Sequence, residues 1–236
     1  MIFKGGNALR FAYQSPRSTK DLDFTADMKQ IPDNETRIRQ LLDSSLQFAV
    51  RRFNVKAKCQ HVKRNPKSSE ATRPTYDINV GYQFPGDRYF HNFEEKTVSS
   101  GIPIEISLND LVCDTQPWTD IEELIVCSLE DIIAEKLRSL LQQKIRNRNR
   151  WQDVYDVCTY VRRADFDRAK VADFLKQKSI IREIDATKSS FDDEIRHRAS
   201  ADYEKRVRTE APDNFIPFDE AWNAVISLVK TLDLPD

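Results

Sequence analysis

Asp21-Leu22-Asp23-Phe24 alternates carboxylate and apolar side chains. A period of two marks a strand with one buried face, so Leu22 and Phe24 enter a core while Asp21 and Asp23 leave together from the other side. Carboxylates two apart on a strand, about 6–7 Å between their Cα atoms, can share divalent cations through their oxygens. A pair of Mg²⁺ ions about 3.5–4 Å apart is a recurrent device for activating an attacking oxygen and stabilising the leaving one in phosphoryl-type transfer. With 38 acidic residues in the chain, an Asp-x-Asp alone is weak evidence, and Asp165-Phe166-Asp167 repeats the pattern. The surroundings of Asp21 give it weight.

Upstream stands Lys4-Gly5-Gly6, in a chain with only five glycines. Glycine backbone can approach a triphosphate closely, and the short helix expected over Asn7–Tyr13 would add amide donors and a positive dipole end. A loop follows at Ser15-Pro16-Arg17-Ser18 and then the acidic strand, so glycine turn, helix, loop and strand together make a phosphate cradle facing a metal site. A third acid, as base or metal ligand for the attacking hydroxyl, should stand on a neighbouring strand and the same polar face. Glu105, opposite Ile104 and Ile106, and Asp77, opposite Tyr76 and Ile78, both qualify.

Further along, an amphipathic helix is expected from Pro32-Asp33, with Ile38, Leu41, Leu42, Ala49 and Phe53 on one face. Strands are expected over Val55–Val62, Tyr76–Phe84 and Ile102–Leu108. From about Thr119 the period turns helical. Ser128-Leu129-Glu130-Asp131 caps a long helix through about Ile145, followed by helices near Trp151–Arg162, Asp167–Lys178 and Phe218–Leu232. Strands first and helices after imply an α+β chain, divided here into a sheet-based domain over 1–115 and a helical one over 116–236.

On the Ser128 helix, Lys136 falls inside the apolar stripe of Leu129, Ile132, Ile133, Leu137, Leu140 and Leu141. An ammonium there must snorkel or meet an anion, because burying it unpaired costs several kcal/mol. Asp153 flanks the stripe of Val154, Val157, Cys158 and Val161, where it can pair with Lys136 or reach the site; Asp156 reads as a plain helix-surface residue. Lys144, Arg146, Arg148 and Arg150 form the densest basic run, either cations matched to a helix C-terminus or a surface for triphosphate or an RNA backbone.

Lys4-Gly5-Gly6-Asn7-Ala8-Leu9-Arg10 followed by Arg17-x-Thr19-x-Asp21-Leu22-Asp23-Phe24 resembles the AbiEii/AbiGii family of nucleotidyltransferase toxins, within the DNA polymerase β-like superfamily. Glu130-Asp131-Ile132-Ile133-Ala134-Glu135-Lys136-Leu137 and Arg150-Trp151-Gln152-Asp153-Val154-Tyr155-Asp156-Val157 are similar to two later motifs of that family, with Thr19 for its usual serine and Gln152 for its usual arginine. The resemblance implies a nucleotidyltransferase-like mixed sheet with flanking helices. It implies catalytic roles for Asp21, Asp23, Glu105, Lys136 and Asp153, the first three also as metal ligands. Lys4, Gly5, Gly6, Arg17, Thr19, Lys136 and Arg146 would hold nucleotide, with the lysine reaching the cleft between the domains. The cofactor would be Mg²⁺ and the co-substrate a nucleoside triphosphate. The acceptor would be a tRNA 3′ end and the partner a cognate antitoxin, in a toxin–antitoxin (abortive infection, phage defence) system. The rivals are a kinase acting on its antitoxin and a catalytically lapsed nucleotide- or RNA-binding module.

Composition sets the outer bounds. In 236 residues, 37 Lys+Arg against 38 Asp+Glu give a net charge of −1, so nucleic acid would be held by a local patch rather than by bulk attraction. No apolar run approaches the roughly 18 residues of a membrane span, and no signal-peptide core follows Met1, which points to the cytoplasm. Four cysteines and three histidines are scattered without the paired spacing of a zinc site.

Overall fold

The computed structural model describes residues 1–29, 31–121 and 124–236. The fold is α+β, and the chain divides into two compact units. The first comprises Met1–Ala8, Lys20–Asp110 and Thr119–Ile125; the second comprises Leu9–Thr19, Leu111–Trp118 and Val126–Asp236. No helix among the described residues is long and apolar enough to cross a membrane.

The first unit contains β1 (Ile2–Lys4), the start of α1 (Gly5–Ala12), β2 (Leu22–Ala26), α2 (Glu35–Phe53), β3 (Lys56–Asn65), β4 (Thr75–Gln83) and β5 (Gly101–Leu108). Its strands lie in the order β3-β4-β5-β2-β1. β2 runs parallel to β5 and every other neighbouring pair here is antiparallel, so the sheet is mixed. One face is apolar: Ile38, Val62, Tyr76, Ile78, Val80, Ile106 and Leu108 form a buried cluster, with Phe24, Leu42, Leu46 and Ile104 packed on it.

Two expectations are corrected in this unit. α2 starts at Glu35, because Asn34 rather than Asp33 caps it, accepting from the Arg37 amide at 2.9 Å. Asp33 instead takes a bidentate pair from Arg64, at 2.7 and 2.8 Å. The inward stripe of α2 is Ile38, Leu42 and Leu46, spaced by four, while Leu41 and Phe53 are exposed. On β3 a bulge between Cys59 and His61 shifts the register. It lets Cys59 and Val62, three apart, both turn inward, which strict alternation forbids.

In the second unit the short β6 (Thr115–Pro117) and β7 (Ile125–Cys127) are neighbours, in a region where the sequence shows no alternation. Helices α3 (Leu129–Leu141), α4 (Gln143–Arg146), α5 (Trp151–Arg163), α6 (Arg168–Ile181), α7 (Asp193–Ser200), α8 (Tyr203–Glu210) and α9 (Phe218–Thr231) follow. The Ser128 hydroxyl caps α3 as expected, accepting from the Asp131 amide at 3.2 Å. The expected single helix through Ile145 is two: α3 closes at Leu141, and α4 stops where Asn147 turns left-handed, at φ 47°. α3 packs on α6 and α5 on α9, around Leu137, Val157, Leu175 and Val225.

Candidate active site

The polar face of the sheet carries one row of charge across all five strands. Lys63 is in register with Asp77, Asp77 with Glu105, Glu105 with Asp23, and Asp23 with Lys4. Directly opposed residues share a face, so these five side chains leave the sheet on one side, opposite the apolar cluster. Asp23 and Glu105 stand on adjacent parallel strands. Asp77 is one strand beyond Glu105 and so about 10 Å from Asp23, and it accepts a short hydrogen bond from the Asn65 amide. Of the two candidates for third acid, Glu105 is the one beside Asp23; Asp21, expected on the strand, lies just before β2 begins and is exposed.

Gly5 is packed against Asp23. A Cβ built on Gly5 would lie 2.0 Å from Asp23 Oδ2 and 2.6 Å from its Cγ, and the backbone there is left-handed, at φ 72°. Both facts demand glycine, so the turn that opens α1 touches the carboxylate. Asn7 ties the two elements together: its Nδ2 donates to the Asp21 carbonyl at 2.8 Å. Its Oδ1 is buried without a hydrogen-bond donor among the described residues. Nothing in the sequence marks Asn7 for a role; only the fold reveals its reach back to Asp21. Lys4, expected on nucleotide, pairs with Asp110 at 2.7 Å and donates to Ser107 Oγ at 3.3 Å. That hydroxyl lies 3.5 Å from Glu105 Oε1, so a polar chain runs from Lys4 to the third acid.

The donor chemistry suits Mg²⁺, which takes one or two carboxylates and completes its shell with phosphate oxygens and water. Gly5 lets Asp23 pack directly on the backbone that opens α1, at a position no larger residue allows. Among the described residues no three carboxylate, imidazole or thiol side chains form a group that could hold an ion unaided.

The helical unit gathers a second set of the expected residues. Lys136 is buried, as its place in the stripe required, and its Nζ lies 3.0 Å from Asp153 Oδ1 and 2.7 Å from Asp156 Oδ2. Asp156, expected on the surface, is only 1% exposed and is the centre of the network. It accepts both arms of Arg17, at 2.8 and 2.9 Å, and Arg17 also reaches Glu210 at 3.1 Å. Burial alone would lift the Asp156 carboxyl, but Arg17 and Lys136 outweigh it and hold it down at about 2. Burial alone would likewise lower the Lys136 ammonium; Asp156 and Asp153 reverse the sign and raise it. Asp156, Lys136 and Arg17 are therefore all ionised at neutral pH.

Arg17, expected on nucleotide, thus has its guanidinium held by Asp156 and Glu210 and stacked over the Trp151 ring. Among the described residues Asp153 Oδ2 is buried with no hydrogen-bond donor, and Arg150 Nε lies 3.9 Å from it. Asp156 and Glu210 were missed because a carboxylate on a helix carries no local mark of burial. The available signal was the demand of Lys136 and Arg17 for counter-charges. Thr19 is half-buried and Arg146 is exposed on α4.

The chain matches, over residues 1–224, the family model described as nucleotidyl transferase AbiEii toxin, type IV TA system. No curated protein matches. Among solved structures, a "putative nucleotidyltransferase from H. pylori" aligns over 98% of this chain and 84% of its own, with a TM-score of 0.51 and 16% identity, a likeness of fold.

Proposed function

Because the chain belongs to the AbiEii nucleotidyltransferase toxin family of type IV toxin–antitoxin systems, we propose that it transfers a nucleoside monophosphate from a nucleoside triphosphate to a hydroxyl at the 3′ end of a tRNA, with Mg²⁺, and that a cognate antitoxin restrains it. The observation that carries this reading is the row Lys4–Asp23–Glu105 with Gly5 packed on Asp23.

Asp21, Asp23 and Glu105 would hold the metal, which when bound neutralises phosphate charge and lowers the pKa of a coordinated hydroxyl. Gly5 and Gly6 let the phosphates approach backbone, and the amides that open α1 face the anion with the helix dipole. Asn7 holds the Asp21 backbone in place. Glu105 accepts the proton of the attacking hydroxyl, kept in position by Ser107 and Lys4. The acceptor oxygen bonds to the α-phosphorus, the bond to the bridging oxygen breaks, and pyrophosphate leaves.

In the helical unit, we assign Lys136 and Asp153 to the same activity. Asp156 is a positioning residue that keeps the ammonium charged, and Arg17 fixes Asp156 in turn with both arms of its guanidinium. The test is incubation of the protein with total RNA, Mg²⁺ and triphosphate labelled at either the α- or the γ-phosphorus. Label should enter tRNA from the α-position only, and Asp23→Ala should abolish it while leaving the thermal midpoint near wild type. Label from the γ-position on protein would show a kinase instead. Unchanged α-transfer by Asp23→Ala would refute the assignment.

A further inference from the structure

The corner between α4 and α5 concentrates positive charge. Ser139, Gln142, Gln143, Arg146, Arg148 and Arg150 line a shallow depression that opens to solvent. The Arg146 guanidinium is pushed below its ordinary range by partial burial and by Arg182, Arg138, Arg148 and Arg150, in that order, so five arginines lie in one another's field. The neighbouring carboxylates serve other cations: Glu135 pairs with Arg138, and Asp192 and Glu194 with Lys144. Asp153 lies nearest to Lys136, with Arg150 at 3.9 Å. Among the described residues neither Arg146 nor Arg148 has an ion-pair partner.

A helix C-terminus welcomes cations, which accounts for Lys144 and Arg146. It does not account for Arg148 and Arg150. Arg150 is the residue that caps α5, at the positive end of that dipole, where a cation is disfavoured. The turn is fixed by left-handed Asn147, whose side chain accepts from Arg198 at 3.0 Å. Arginines crowded this way lower their mutual repulsion by gathering an anion, and guanidinium forks match phosphate oxygens.

The depression encloses no volume for a base or sugar, so what it offers a ligand is its rim of guanidinium groups, which suits a phosphate at the surface. On β3, by contrast, Lys58 donates to the Phe93 and Glu94 carbonyls and Arg64 pairs with Asp33. We propose that the α4–α5 corner is the dock for a backbone phosphate of the nucleic-acid acceptor, with Arg146 and Arg148 as its principal contacts. The inference rests on the transferase reading for the nature of the acceptor, and its test is independent of catalysis.

That test is fluorescence anisotropy of a labelled RNA stem–loop with a single-stranded 3′ tail, titrated with the full chain at several salt concentrations. The double variant R146A/R148A should bind about tenfold more weakly, and its slope of log affinity on log salt should be shallower by about one to two, the loss expected for one or two phosphate contacts. Both arginines are exposed, so its thermal midpoint should stay at the wild-type value, and Mg²⁺–triphosphate binding by calorimetry should be unchanged. Asp23→Ala, by contrast, should bind the RNA like wild type. RNA affinity and salt slope unmoved in R146A/R148A would overturn the proposal. So would an equal loss of triphosphate binding, which would assign the arginines to the nucleotide.

Discussion

Gly5→Ala is the sharpest single perturbation of the sheet face, because two independent effects of one methyl can be worked out. The first is backbone strain. At φ 72° an alanine sits in the left-handed region, which costs about 1–2 kcal/mol. The second is collision. The new Cβ would stand 2.0 Å from Asp23 Oδ2, 2.6 Å from Cγ and 2.8 Å from Cβ. Rotating the carboxylate relieves the first two contacts but not the third, so Asp23 must move as a whole by about 1 Å to reach ordinary contact distance. Stability should fall by about 1–3 kcal/mol, a drop of about 2–12 °C in thermal midpoint at 2–4 °C per kcal/mol for a chain of this size. A catalytic group misplaced by about 1 Å loses roughly a hundredfold in rate. The assay is initial rate of α-labelled transfer at a temperature where circular dichroism shows the variant fully folded. Transfer within threefold of wild type, with the fold intact, would refute the claim that Gly5 and Asp23 form one site.

The buried hub gives two further expectations. Asp156→Asn keeps volume but removes the charge shared by Arg17 and Lys136. Breaking a buried pair costs about 3–5 kcal/mol; since Lys136 keeps Asp153 and Arg17 keeps Glu210, the lower end is expected. The exposed pair Arg196–Asp219 serves as control, and Asp219→Asn should cost under about 1 kcal/mol in the same denaturant titration. Acid should reproduce part of the first effect. The Asp156 carboxyl is held at about 2 against an ordinary 3.8, so its stabilisation, about 2 kcal/mol, is complete above pH 4 and lost as pH falls from about 4 to 2. Asp156→Asn should lack that share of the acid slope, and equal slopes in both proteins would contradict the assignment.

Much of the sheet was legible because its residues obey a two-residue period: Leu22 and Phe24, Ile104 and Ile106, Tyr76 and Ile78 all turn as their spacing dictates. The same period put Asp23 and Glu105 on one face, though only the register shows that they are neighbours rather than strands apart. The bulge after Cys59 was hidden, since an extra residue in a strand leaves no mark in composition. β6 and β7 have three residues each, too few for any period. α7 and α8 lay within a run read only as charged; they bury Ile195, Ala199, Tyr203 and Val207, one apolar residue every four. Lys136 was conspicuous because a charge interrupted an apolar stripe. Asp156 was not, because its partners come from Arg17 and Lys136, far away in sequence. Pairings of that kind become visible only in the folded chain.

The central claim is that Asp23 and Glu105, side by side on one sheet face, are the acids that hold the divalent metal beside a triphosphate. Titrating Mn²⁺ into the protein with a non-hydrolysable triphosphate, read by electron paramagnetic resonance, tests it most directly. Asp23→Asn and Glu105→Gln should each weaken the bound signal at least tenfold while Asp77→Asn leaves it at the wild-type value. Equal binding by all four proteins, or a loss confined to Asp77→Asn, would contradict it.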